Sequence, residues 1–241
     1  VDFSALKFAG GLTISNNSVL DSLQLGQLLN ASSGFTIEGT SVLALVLPSV
    51  SKIGALLVEN NRFLTKVEFP VLNTITGMQS GIGIVGNPLL DTIAFPVLGR
   101  ISINASLTWE VAYGIYLIAN PRLTTLSLHA LSVLDIRGPL STASRIGMLF
   151  DSNPLLSNIC ASNLTSFYSL GSITPVTGQH VWYTGSNSAT ICLDLNATGR
   201  YANSAGRGVW NQYYKSILNA SQASVVLFNG AMELGNFVTP L

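Results

Sequence analysis

Six times along the chain a strand-like pair of apolar residues is followed by a polar corner, a Leu and a second apolar step. The clearest copies span 82–101 (IGIVGNPLLDTIAFPVLGRI) and 56–75 (LLVENNRFLTKVEFPVLNTI), and 115–134 keeps the same register. Residues 12–29 and 35–53 are looser copies, and 148–159 opens a sixth that does not finish. A unit this short cannot bury its apolar face alone, so it must stack on neighbours that cover it. Such stacking constrains the architecture and makes a dedicated catalytic pocket a weak expectation.

Within the copy 82–101, Ile82 and Ile84 alternate with Gly83 and Val85, as in a short strand with one face inward. Asn87-Pro88 turns the chain, Leu90 points inward, and Ile93 and Phe95 form a second strand. Pro96 makes another turn, and Leu98 and Ile101 complete the circuit. The same apolar positions return at Leu64, Val67, Phe69, Leu72 and Ile75, and at Leu123, Leu126, Leu128, Leu131 and Leu134. Strand starts fall at Leu12, Phe35, Leu56, Ile82, Ile115 and Met148; the longer periods carry insertions around 102–114 and 135–147. Asn61, Asn87, Asn120 and Asn153 recur at one corner, with Asn17 in the first copy. Their expected role is to satisfy turn backbone groups as a side-chain ladder.

The sequence has 241 residues, 48% of them apolar, so it can bury a large core. Only 9% are charged, against roughly 25% in an ordinary soluble domain, and eleven bases cancel eleven acids. A neutral, charge-poor surface gives no electrostatic attraction for nucleic acid or anionic membrane. It also offers little repulsion against self-association. Glycans could keep such a surface soluble: sequons occur at Asn16, Asn30, Asn104, Asn163, Asn196 and Asn219. Cys160 and Cys192 flank the end of the repeats. Two thiols alone are too few for a zinc site, which takes four ligands, and the only histidines are His129 and His180; a disulfide is a simpler reading than two free thiols. Sequons with a disulfide point to an extracellular or cell-surface location. VDFSALKFAGGL has neither a basic start nor a continuous apolar segment and reads as the start of a mature chain. The longest apolar run, 42–50, is too short to cross a bilayer.

After Cys160 the composition turns to Ser, Thr, Gly and Asn, dividing a repeat domain (1–160) from a C-terminal cap and possible assembly segment (161–241). In 209–220, Val209, Trp210, Tyr213, Tyr214, Ile217 and Leu218 share one helical face, predicting an amphipathic helix over the open end of the stack.

The pattern N-P-x-L-x-x-I-x-F-P-x-L-x-x-I from Asn87 to Ile101 resembles the receptor L-domain family. The F-P-x-L steps at Phe69–Leu72 and Phe95–Leu98 look closest to its fungal cell-wall-organisation surface glycoproteins. The likeness covers about residues 12–160. It implies an all-β fold: a short right-handed parallel β-solenoid of about five to six turns, extracellular and non-enzymatic. Both cysteines lie at the C-terminal end, whereas the animal receptor domains carry cysteines at both ends. Ligand-contact residues therefore do not carry over.

GIGIVG (81–86) fits G-x-G-x-x-G through Gly81, Gly83 and Gly86, but Asn87-Pro88 continues the repeat instead of opening a helix. Outward positions of the second strand read Gln24, Glu68, Ala94 and Ser127, without the paired carboxylates that a polysaccharide-cleaving site needs. No cofactor or metal is expected. Phe3, Leu6 and Phe8 match the Leu90, Ile93 and Phe95 positions, so the chain starts halfway round a rung. Val226, Met232 and Phe237 loosely recover the repeat phase. These six residues define a candidate head-to-tail contact, with another copy of the chain as partner. The expected function is a structural glycoprotein forming an extracellular filament or layer. The alternative is a recognition module that holds a peptide or glycan on the sheet face with Trp109, Tyr113 and Tyr116.

Overall fold

The computed structural model describes residues 1–104, 111–137, 144–156, 158–160, 163, 166–169, 178–184, 190–193 and 226–228. Among these all regular structure is β-strand, and every strand pairing is parallel. Two long strands open the fold, β1 (Phe8–Ser15) and β2 (Asn30–Glu38). A short strand, β3 (Ala44–Val46), follows. From there each circuit lays down three strands. The first column holds β4 (Lys52–Ile53), β7 (Thr74–Gly77), β10 (Arg100–Asn104), β13 (Val133–Arg137) and β16 (Ser166–Ser169). The second holds β5 (Leu56–Glu59), β8 (Ser80–Val85), β11 (Val111–Ile118), β14 (Ser144–Asp151) and β17 (Gly178–Thr184). The third runs from β3 through β6 (Lys66–Glu68), β9 (Thr92–Ala94), β12 (Thr125–Ser127), β15 (Asn158–Cys160) and β18 (Thr190–Leu193) to β19 (Val226–Phe228).

The first two columns merge at β2, whose start pairs with β4 and whose end pairs with β5. They form one twelve-stranded sheet; the third column is a separate seven-stranded sheet. The strand starts read from the sequence are register partners: Leu12 with Phe35, Phe35 with Leu56, Leu56 with Ile82, Ile82 with Ile115, and Ile115 with Met148. In the third column Leu45, Val67, Ile93, Leu126 and Ile159 align in the same way.

Two local expectations change. The step from Leu72 to Ile75 closes the circuit as a strand of its own, because Ile53, Ile75, Ile101 and Leu134 pair in register and are buried. The insertions at 102–114 and 135–147 are partly strand: β10 and β11 lengthen, burying Ile103 and Ala112. Strands β16 to β19 also continue the pairing beyond Cys160, where the sequence periodicity fades. The helix expected over 209–220 lies outside the described residues.

The inward residues form one apolar column in which Phe35, Leu56, Phe69, Ile84, Phe95, Leu117 and Leu134 are sealed from solvent. The Phe69 and Phe95 rings meet at 5.7 Å with a tilt of 39°. Burial of each such side chain contributes about 1.5–3 kcal/mol.

One polar row runs through this apolar interior. Asn61, Asn87, Asn120 and Asn153 are fully buried. The Oδ1 of Asn87 accepts from the backbone N–H and Nδ2 of Asn61, at 3.0 and 3.2 Å. Asn120 and Asn153 repeat the arrangement on the rungs that follow. Each Nδ2 also donates to a carbonyl one circuit back: Ile37, Val58, Ile84 and Leu117 in turn. At the upper end Thr40, rather than Asn17, donates its N–H and hydroxyl to Asn61 Oδ1. Asn17 is exposed. The residue before each ladder position is left-handed: Gly39, Asn60, Gly86, Ala119 and Ser152, with Asn16 in the first circuit. That conformation turns the chain out of column two and aims the next amide along the ladder.

Candidate ligand-binding face

The outer face of column two collects the aromatic and acidic groups. Alternation on β11 buries Ile115 and Leu117 and leaves Tyr116 partly exposed between them. Tyr116 pairs in register with Gly83, and Tyr113 with Ser80. A Cβ on Gly83 would sit 2.1 Å from Tyr116 Cζ, so the phenol ring lies over the bare glycine backbone. Without a side chain at residue 83, the ring has room to lie down. The Tyr113 and Tyr116 centroids are 5.0 Å apart, tilted by 50°.

Glu59 and Glu38 are register partners on β5 and β2, one strand spacing apart. Tyr116 lies close enough to Glu59 and Ser80 to interact with both. Burial raises the Glu59 pKa above the ordinary glutamate value, and the Glu38 charge raises it further, while the Tyr116 hydrogen bond opposes both. Burial also pushes the Tyr116 phenol far above its usual range, followed by the nearby Glu59 and Tyr113. This geometry lays one ring over Gly83, props a second beside it, and sets the Glu59 carboxylate near the first. It can stack against a flat ring and accept hydrogen bonds from a cation.

Of the expected ligand surface, the structure brings Tyr113 and Tyr116 together, and Trp109 lies outside the described residues. The repeat reading gave Glu38, Glu59, Ser80 and Gly83 no place on this face; Gly83 entered it only through the strand alternation and the glycine string. A signal existed: aligning FTIE (35–38) with LLVE (56–59) puts both glutamates in one slot. Aligning IGIV (82–85) with IYLI (115–118) sets Gly83 beside Tyr116.

The glycine string is strand. Gly81 and Gly83 lie in β8, where a Cβ on Gly81 would meet the Gly114 carbonyl oxygen at 2.4 Å, and Gly86 is the left-handed corner. His129 is exposed in its turn.

The sequon residues Asn16, Asn104 and Asn163 are exposed. Asn30 opens β2, partly buried, and its Oδ1 is buried without a hydrogen-bond partner. Asn196 and Asn219 lie outside the described residues. Cys160 and Cys192 are register partners on β15 and β18.

At the first circuit Phe3 is 41% and Phe8 67% exposed, and Leu6 packs partly against the core. Their positions differ by a step from the sequence reading. Leu6 N–H donates to the Phe3 carbonyl as Leu98 does to Phe95, and Phe8 pairs with Asn30 on column one. Phe3 and Leu6 therefore match Phe95 and Leu98, because the tight turn, not the residue count back from the strand, sets the phase. Val226 opens β19 and pairs with Ile191 of the same chain. Met232 and Phe237 lie outside the described residues.

Among known proteins, no family model matches the chain, no curated protein is similar to it, and no solved structure matches its fold.

Proposed function

We propose that the chain is a short right-handed β-solenoid of the receptor L-domain type, serving as a non-enzymatic, secreted, N-glycosylated structural protein that assembles end to end. The observation carrying this reading is the outer edge of β1. Among the described residues β1 pairs on one side only, and Phe3 and Phe8 are exposed beside that edge. An unpaired strand edge next to exposed apolar groups is a template for another chain, and a neutral, charge-poor surface does not oppose contact. The C-terminal end of a second copy is the occupant, giving a heterologous contact that propagates. Val226, paired within its own chain, takes no part in that contact. Exposed Asn16, Asn104 and Asn163 support glycosylation, and the Cys160–Cys192 register supports a disulfide between neighbouring circuits. Sedimentation velocity over a hundredfold concentration range tests the proposal. Native protein should form larger species as concentration rises, and Phe8→Lys should hold it monomeric. A native protein that stays monomeric throughout overturns it.

The Tyr113–Tyr116 pair on the outer face favours a second reading, a recognition module that binds on the face of column two. A saturable ligand on a stable monomer distinguishes it from assembly.

A further inference from the structure

The three columns expose different chemistry. Column one carries Lys52 and Arg100, and column two carries Glu59 and the tyrosines. Column three presents short, mostly neutral side chains. Its outward positions are Ala44 and Val46 on β3, Thr92 and Ala94 on β9, and Thr125 and Ser127 on β12. Between β3 and β9, β6 carries one ion pair, Lys66 with Glu68. Among the described residues beyond the first circuit, the exposed large apolar groups are Leu43, Val46, Phe63, Val71, Met78, Val97 and Leu155. All but Met78 lie within three residues of a column-three strand. No sequon falls on these outward positions, and Asn30 and Asn104 belong to column-one pairings. A face of short side chains with apolar borders suits packing against another sheet, about 10 Å away.

Symmetry along the strands identifies the occupant. Lys66 and Glu68 flank the inward Val67, and Phe63 and Val71 stand four residues to either side of it. Leu89 and Val97 are placed likewise about Ile93. A two-fold axis parallel to the stack turns each strand end for end and keeps its level. It therefore sets Lys66 opposite the other copy's Glu68, and the Phe63 border opposite the Val71 border. A two-fold axis along β6 would instead set Lys66 against Lys66. The face is complementary to itself in one orientation, so a second copy is the partner it fits.

We propose that filaments of this chain pair laterally, column three against column three, with Lys66 of each copy against Glu68 of the other. The inference rests on the end-to-end reading. Seven strands at about 4.8 Å, with a width of roughly 20 Å, give each copy about 600 Å². One pair of copies then buries roughly 1,200 Å², the lower end for a specific contact. Two single copies are held weakly, whereas rows of copies aligned in two filaments are held firmly. The same axis keeps both filaments pointing one way.

Electron microscopy of the native full chain, read as mass per unit length, tests this pairing. Native filaments should carry about twice the mass per length of filaments formed by Lys66→Glu or by Glu68→Lys, whose faces repel. Lys66→Glu combined with Glu68→Lys puts opposite charges across the axis again and should restore the doubled value. An exposed ion pair adds little to folding, so each variant should keep the native circular dichroism. Native filaments one copy thick overturn the inference and leave end-to-end assembly standing. Doubled filaments in both single variants overturn it as well. A native protein that stays monomeric overturns both readings together.

Discussion

At the scale of single residues, the ladder asparagines and the corners before them impose opposite demands on the side chain. Asn87 is fully buried and satisfies the Asn61 amide while donating to the Val58 and Val85 carbonyls. Asn87→Ala strands those groups away from water, and each unsatisfied buried group costs about 1–3 kcal/mol. The expected loss is about 3 kcal/mol or more in urea unfolding. At the adjacent corner Ala119 holds φ at 55°, in a region that costs a residue with a Cβ roughly 1–2 kcal/mol. Gly86 occupies the equivalent corner one circuit earlier. Ala119→Gly should therefore stabilise the fold by about 0.5 kcal/mol, part of the relieved strain being offset by the freer unfolded chain. A lower urea midpoint for this variant would show that the corner carries no such strain.

At the scale of elements, β8 and β11 depend on each other through a missing side chain. Gly83→Val would drive methyl groups into the Tyr116 ring, which already occupies that space. The variant should lose about 1–3 kcal/mol and break the Tyr116–Glu59 contact, read as a change in the Glu59 carboxyl titration by NMR. The same titration gives a pH prediction. Because the Glu59 pKa is raised in the folded chain, first by burial and then by Glu38, folding favours its protonated form. Its contribution to stability is therefore fully present below the ordinary glutamate pKa and is lost as pH rises through the raised folded value. Glu59→Gln should remove that segment of the stability–pH curve, and Glu38→Gln should move the Glu59 midpoint down. Strand register was legible from sequence because Leu56, Ile82 and Ile115 mark the same point of successive copies. The apolar residues of column one were legible as the closing step of each circuit but not as a strand, since its first member β4 spans only Lys52–Ile53. The acidic and aromatic cluster was hidden for a different reason. Its members come from different repeats, and only register brings Glu38 to Glu59 and Gly83 to Tyr116.

At the scale of the whole molecule, a stack held by nearest-neighbour contacts should be least stable where a circuit has one neighbour. Strand β1 pairs only with β2, and its inward Leu12 and Ile14 are partly buried. Strands β5 and β8 are paired on both sides and bury Leu56, Val58, Ile82 and Ile84. Native-state hydrogen exchange should therefore show β1 amides opening with a free energy well below that of β5 and β8. Phe95→Ala, at the centre, should cost about 3–5 kcal/mol, and Leu12→Ala clearly less. End-to-end assembly alters this gradient in a predictable direction. If a second copy covers the open edge, β1 protection should rise with protein concentration while β5 and β8 remain unchanged. Phe8→Lys should abolish the rise without lowering protection in the middle of the stack. Protection of β1 equal to that of β8 in a dilute monomer would mean that the first circuit is already covered within the chain, leaving no open edge for a partner.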